Sequence, residues 1–279
     1  MPRVSVLTPI YNTKPEHLCE CIESILAQTF TDFEFLILND SPANIALDEV
    51  VARYKDSRIK YIKNTKNLGI SETRNKLIHL ARGEYLAIFD HDDISVPTRL
   101  AQQVEYLDAN PAVGVVSGWL EYFGHDTCIW RTPENDFDIK VGLTANCSLA
   151  HTAAMMRKSV LIDNNIEYES FYSPAEDYRL WARLMDVTKF HNLQTVLVKY
   201  RCFDKNTSVT LANKMEAART AISLELRNKY PAYYQEYVKY SANGTIFRLR
   251  LFGFIPFIKV KNNWVQLFEC IPLFKTKWK

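Results

Sequence analysis

Over its first 120 or so residues the chain alternates between short apolar runs and amphipathic stretches, and this alternation constrains the fold most. The run "RVSVLTPI" reads as a buried strand, and "PEHLCECIESILAQTF" then places Leu18, Ile22, Ile25 and Leu26 on one helical face. "FEFLILND" reads as a second strand, followed by a helix near Asp48–Tyr54. "RIKYIKN" is a third strand, and "SETRNKLIHLA" a helix that Ser71 can cap, with Gly83 after it. "YLAIF" is the fourth strand. Strands separated by helices of this length need crossover connections, so the expected fold is an α/β, Rossmann-like, mostly parallel sheet covered by helices on both faces.

Beyond Pro97 the pattern predicts a helix over Arg99–Asn110 and then a strand in "VGVVSGWLEYF". "NCSLAHTAAMMRKSVL" reads as a strand feeding a helix, and "SPAEDYRLWARLMD" as an acid-headed helix with Leu180, Trp181 and Leu184 inward. A strand in "FHNLQTVLVKYR" and a helix around Asn213–Lys229 complete the body. At 279 residues the chain is long for one domain and short for two, so one core domain with an appendage is expected. The divisions read from the sequence are a core domain over 1–210, in two parts of about 1–120 and 121–210, a covering helical segment over 211–246 and a tail over 247–279.

In an open α/β sheet, ligands bind beyond the carboxyl ends of the strands. Here those ends carry Thr8-Pro9-Ile10-Tyr11-Asn12, then Asn39-Asp40-Ser41, then Asn64 with Asn67-Leu68-Gly69, and finally Asp90-His91-Asp92-Asp93. Polar and acidic groups thus converge on one rim. Asp90, Asp92 and Asp93 repel one another unless positive charge sits among them. A hard divalent ion, Mg²⁺ or Mn²⁺, suits carboxylate oxygens and takes one or two from protein, leaving other positions to substrate phosphates. The plainer alternative is a solvated turn that caps the next helix.

Other groups carry the same double reading. Glu176 and Asp177 head a helix, where a carboxylate is favoured by the dipole; Asp177 also suits a general base, with Glu176 supporting it. Arg74 can neutralise phosphate from its helix or stand as an ordinary surface arginine. Asp40 can bond a base or ribose, or close a turn. His91 and His151 have no spacing partner for a zinc site, and His151 equally suits a structural role.

The balance of charge is uneven. The chain carries a net charge of only +2, which argues against a general nucleic-acid binder. Yet from Phe247 to Lys279 seven basic residues face a single acid, Glu269. Arg248, Arg250, Lys259, Lys261, Lys275 and Lys277 interleave there with Phe252, Phe254, Trp264 and Trp278. Rings among headgroups and lysines against anionic lipid suit a membrane interface, each basic residue being worth about 1 kcal/mol. An arm packed on the core or on another subunit is the alternative. The segments "LFGFIPFIKVK" and "LFECIPLFKTK" repeat at an offset of 16 residues. No apolar run reaches spanning length, the six cysteines form no CxxC pair, and the chain starts "MPRVSVLTPIYN" rather than with a basic and apolar leader. A reduced, cytoplasmic setting is expected, peripheral on the inner face of the membrane.

Taken in order, "VSVLTPIYN", "ILND", "NLGISETRN", "FDHDDISVPTRL", "AEDYRLW" and "VLVKYR" resemble the family-2 glycosyltransferases of GT-A fold, over roughly residues 3–210. The resemblance implies an inverting transferase using a nucleotide-sugar donor, UDP-linked by family frequency, with Mn²⁺ or Mg²⁺. It implies that Pro9, Tyr11 and Asp40 line the base pocket with Arg74 nearby. Asp90 would then approach the ribose, Asp92 and Asp93 the metal, and Asp177 would be the base. The tail resembles C-terminal segments of bacterial enzymes that build lipopolysaccharide or lipooligosaccharide, implying a lipid-linked glycan acceptor. A protein or polysaccharide acceptor, or a non-catalytic sugar-nucleotide-binding protein, are the other readings. Two departures stand out. Phe203 occupies the place where many relatives have a histidine that reaches the metal or diphosphate, leaving Asp204 as a substitute, and "LND" stands where "VDD" is common.

Overall fold

The computed structural model describes residues 1–125, 127–203 and 210–242, together with the backbone of Ile258–Lys261 and Trp264–Leu267. Strands β1 (Val4–Ile10) and β2 (Phe33–Asn39) are buried along their whole length. A strand covered on both faces has no solvent side, which is why both read as nearly unbroken apolar runs. Alternate residues serve opposite layers. Val4, Val6 and Ile10 join Phe33, Phe35 and Ile37 in one apolar cluster, while Leu7, Leu36 and Leu38 belong to another.

The remaining strands are β3 (Ile59–Lys63), β4 (Tyr85–Ile88), β5 (Ile94–Ser95), β6 (Val113–Gly124), β7 (Cys128–Trp130), β8 (Met155–Arg157) and β9 (Lys189–Cys202). They form one sheet in the order β3-β2-β1-β4-β8-β6-β9-β5, with β7 beside β6. From β3 to β4 every pairing is parallel. The parallel order read from the first 120 residues therefore holds there. The later strands make the sheet mixed: β8 runs antiparallel to β4 and β6, and β5 antiparallel to β9, while β6 and β9 pair in parallel with register shifts around Gly118 and Trp119.

Helices α1 (Pro15–Leu26), α2 (Ile45–Ala52) and α4 (Arg99–Ala109) cover one face through Ile22, Val50 and Val104. Helices α3 (Ile70–Leu80), α5 (Asp136–Leu143), α6 (Lys158–Ile162), α7 (Glu176–Leu184) and α8 (Ala212–Lys229) cover the other, where Trp181, Leu180, Ile222 and Leu226 are fully or almost fully buried. Helix α9 (Pro231–Ala242) follows directly and sets Tyr233 edge-on to Phe137 of α5.

Two local readings are corrected. Ser71 does not cap α3, because the helix starts at Ile70 and its N-cap is Gly69, at φ 83. Gly83 is not a helix stop either, since Ala81 ends the helix. Its role is close approach: a Cβ there would meet the Ser5 backbone nitrogen at 2.5 Å. In the tail, Ile258–Lys261 pairs antiparallel with Trp264–Leu267. The side chains invoked for membrane association, Arg248 to Trp278, lie outside the described residues, as does Asp204.

Candidate functional site

The carboxyl ends of β1, β2 and β4 lie side by side, as the order of the sheet requires. Over β1 and β2 opens a cleft of about 540 Å³, lined among others by Tyr11, Asp40, Ser41, Pro42, Asn44 and Asn67. That size suits a small organic ligand. Tyr11 is 54% exposed, an unpacked ring at the mouth. Pro9 is buried within β1 and does not line the cleft. Asp40 is committed to its own loop: Oδ1 accepts from Asn64 Nδ2 (2.7 Å) and Leu68 N (2.8 Å), and Oδ2 from Gly69 N (2.9 Å). It thus fixes the turn that launches α3, with an edge toward the cleft.

One strand over, the acid loop resolves the repulsion by giving each carboxylate different surroundings. Asp90 accepts from Arg74 Nη2 at 3.0 Å. Burial acts to raise its carboxyl, but the charge and hydrogen bond of Arg74, together with His151 and His91, outweigh this and leave it below the ordinary range. Asp93 is fully buried; Oδ2 accepts from Thr152 Oγ1 (2.8 Å) and Oδ1 from Arg201 N (3.0 Å). Burial, then Asp92 and Asp90, push its carboxyl well above the usual value. Asp92 is half-buried, and its carboxylate accepts no hydrogen bond among the described residues; His91 Nδ1, itself buried and unpartnered, stands 3.9 Å away. Of the three acids, Asp92 is the one whose carboxylate accepts no hydrogen bond from the described residues.

Positive charge surrounds the loop from behind. Arg99, at the start of α4, is fully buried and donates through Nη2 to the carbonyls of Ile88 (2.7 Å) and Ala154 (3.3 Å). Burial lowers its pKa to about 9. Arg201 of β9 donates through Nε to the Asp92 carbonyl (2.9 Å) and pairs with Glu20. Thr152 ties the loop together, accepting from Asp90 N (3.1 Å) while donating to Asp93. Arg99, Thr152 and Arg201 were not singled out from the sequence. Arg99 and Gln103 share the inward side of α4 with Leu100, Val104 and Leu107, and polar residues on a buried stripe are a readable signal.

Among the described residues no three His, Cys, Asp or Glu side chains cluster so as to hold a metal by themselves. The site nevertheless fits Mg²⁺ or Mn²⁺, because one unbonded carboxylate beside a rim open to phosphate oxygens is the donor set these ions accept. Phe203, in the place of the expected histidine, packs edge-on to His17 of α1 with ring centroids 5.7 Å apart. Burial, then Arg201, lowers the pKa of His17.

Across the rim stands α7. Glu176 is buried and accepts from Arg74 Nη1 at 2.6 Å. Burial pushes its carboxyl upward against that pairing. Asp177 is half-buried in the first turn of α7, bonded locally by Tyr178 N (2.7 Å). Arg74 thus links the acid loop to the helix carrying Asp177, instead of standing free toward a phosphate. His151 is buried with Nε2 2.8 Å from Tyr168 Oη. Burial, then Arg74, lower its pKa to about 4, so it is a neutral structural group.

Residues 5–164 match the family description Glycosyl transferase family 2. An uncharacterized glycosyltransferase of Methanocaldococcus jannaschii is 33% identical over 222 residues, 77% of this chain and 76% of its own length. The Escherichia coli protein WfaP, a UDP-Glc:alpha-D-GlcNAc-diphosphoundecaprenol beta-1,3-glucosyltransferase, is 28% identical over 77% of this chain and 82% of its own. Among solved structures, Staphylococcus aureus TarS with UDP-GlcNAc superposes with a TM-score of 0.67 at 17% identity, covering 86% of this chain and 73% of that one. The Pyrobaculum calidifontis mannosyltransferase PcManGT with GDP-Man and Mn²⁺ gives 0.64 at 18% identity, covering 88% and 71%. At these identities the likeness establishes the fold.

Proposed function

Because the chain belongs to glycosyltransferase family 2, we propose that it moves a hexose or N-acetylhexosamine from a UDP-linked donor to a hydroxyl of a lipid-linked cell-surface glycan, inverting the anomeric carbon. The observation that carries this reading is the division of labour among the acids. Asp92 is unbonded at the donor rim, and Asp177 stands across it on a helix tied to the same loop through Arg74.

In this reading the base rests in the cleft beside Tyr11 and Asp40, with Tyr11 offering its ring face and Pro9 buried two residues before it, and Asp90 faces the ribose. Asp92, with Asp93 behind it, would hold Mg²⁺ or Mn²⁺, which when bound supplies charge neutralisation for the departing diphosphate. Asp177 takes the proton of the acceptor hydroxyl as that oxygen bonds to the anomeric carbon and the carbon–oxygen bond to the diphosphate breaks. Glu176 supports Asp177 from the preceding position. UDP is favoured by the substrate in the WfaP name, and so is a lipid-diphosphate acceptor. The basic and aromatic tail would dock on anionic lipid at the cytoplasmic face, concentrating the enzyme where such acceptors lie. No helix among the described residues is long and apolar enough to cross a membrane.

A thermal-shift panel of UDP-, GDP-, dTDP- and CMP-sugars, each with Mn²⁺ or EDTA, tests the donor site. Stabilisation by UDP-sugars that needs Mn²⁺ is expected; a folded protein unmoved by every donor refutes the reading. Asp177→Asn is expected to abolish transfer while sparing donor binding. Full activity in that variant removes Asp177 as the base.

A further inference from the structure

Arg74 and Asn75 are consecutive residues of α3, yet both reach across to one segment on the acceptor side. Asn75 closes a reciprocal pair with the Tyr168 backbone, Nδ2 donating to the carbonyl (2.9 Å) and Oδ1 accepting from the amide (2.8 Å). Arg74 holds the other end of that segment through Glu176 at 2.6 Å. A single turn of α3 therefore grips residues 168–176 at both ends, immediately before Asp177.

The guanidinium is divided. One nitrogen goes to Glu176, 8% exposed, and another to Asp90, 28% exposed and on the ligand side. Two buried atoms of the inner pair have no partner: Arg74 Nε and Glu176 Oε2. The two terminal nitrogens of a guanidinium form one of its forks and can meet both oxygens of a single carboxylate in two parallel bonds, so Glu176 Oε2 is a buried acceptor in reserve for a second bond. An unpaired buried acceptor of this kind is costly, and a turn of the guanidinium that moves Nη2 from Asp90 to Glu176 Oε2 would pair it.

We propose that Arg74 is a positioning residue with two bonding states: shared between Asp90 and Glu176 when the donor loop is empty, and doubly bonded to Glu176 when a nucleoside diphosphate with its cation engages Asp90. The second state fixes the first turn of α7 and so the placement of Asp177. Donor binding thereby prepares the base, and an empty site leaves it loosely held. The proposal rests on the donor-site reading above.

Hydrogen exchange of the full chain, with UDP or GDP plus Mn²⁺ as probes, separates the possibilities. In the wild type, amides of 88–93 and of 168–178 are both expected to slow on nucleotide binding, the latter by about fivefold or more, the low end of measured site-to-site couplings. In Glu176→Gln the slowing at 88–93 persists and that at 168–178 is lost; Arg74→Lys, which keeps the charge but not the fork, behaves the same way. Slowing at 88–93 without any at 168–178 in the wild type overturns the coupling while leaving the donor site standing. Equal slowing at 168–178 in wild type and Glu176→Gln also overturns it. If no nucleotide slows 88–93, the donor-site reading fails and the coupling falls with it.

Discussion

Replacing Arg74 by methionine keeps most of the side-chain volume and removes the charge shared by Asp90 and Glu176. Breaking a buried ion pair by deleting one partner costs about 3–5 kcal/mol, because the remaining charge is left uncompensated. Protonation limits the loss. Neutralising a carboxyl of ordinary pKa near pH 7 costs about 3–4 kcal/mol, so no single acid can exceed that penalty. For a chain of this size each kcal/mol moves Tm by about 2–4 °C, which gives a fall of about 6–20 °C. The sign with pH is also fixed. Arg74 holds the folded Asp90 carboxyl below its ordinary range, so this stabilisation is present above the unfolded pKa and is lost as pH falls. In the variant both acids titrate higher in the folded state, and that state gains protons as pH falls. The deficit is therefore largest near about pH 7.5 and narrows toward about pH 5. Circular-dichroism melts of both proteins at the two pH values measure it. A drop below about 2 °C at the higher pH, or a deficit that does not narrow, refutes the assignment of Arg74 as counter-charge to Asp90 and Glu176.

Asp92→Asn should lose the Mn²⁺-dependent part of nucleotide stabilisation in thermal-shift assays while its melting temperature without ligand stays close to wild type, since this carboxylate accepts no protein hydrogen bond among the described residues. Thr152→Val removes the hydroxyl joining Asp90 N to Asp93 and should cost about 1–3 kcal/mol by denaturant titration. Gly83→Ala forces a Cβ against the Ser5 and Val4 backbone and should destabilise by about 1–3 kcal/mol, measured the same way. His151 has a pKa of about 4, below its ordinary value, so its contribution to stability is lost as pH falls from about 6.5 to 4; His151→Asn should flatten that part of the stability–pH curve relative to wild type.

The parts legible in the sequence are those written locally. Strands buried on both faces announce themselves as apolar runs, and once their order is known, their carboxyl ends locate the rim. Tyr11, Asp40 and Asp92 all follow the ends of those strands. What stayed hidden depends on partners far along the chain. Whether an acid in "DHDD" faces a ligand or the interior is decided by Thr152 and Arg201, which lie 59 and 108 residues from Asp93. Arg74 reads as a phosphate ligand because nothing nearby reveals Glu176, 102 residues away. Ser71 looks like a cap, yet the turn before α3 is organised by Asp40 from the neighbouring strand. Local pattern specifies elements and rims; the charge state and orientation of each group there follow from packing that only the assembled sheet creates.

The two faces of the sheet divide the molecule in a way that bears on laboratory evolution. Helices α3 and α7, which bear Arg74 and Asp177, share one apolar layer with Trp181, while α1 and α4 rest on the other. A volume change around Trp181, Ile78 or Leu180 therefore shifts the two helices that carry Arg74 and Asp177. The same change beneath Ile22 or Val104 shifts α1 and α4, which meet the acid loop and its neighbours through Cys21, Glu20 and Arg99. Libraries that repack the first layer should alter the placement of Asp177 without touching a residue at the rim, and libraries in the second should alter the acid loop instead. The hydrophobic interior is thus two separate handles on opposite sides of one rim.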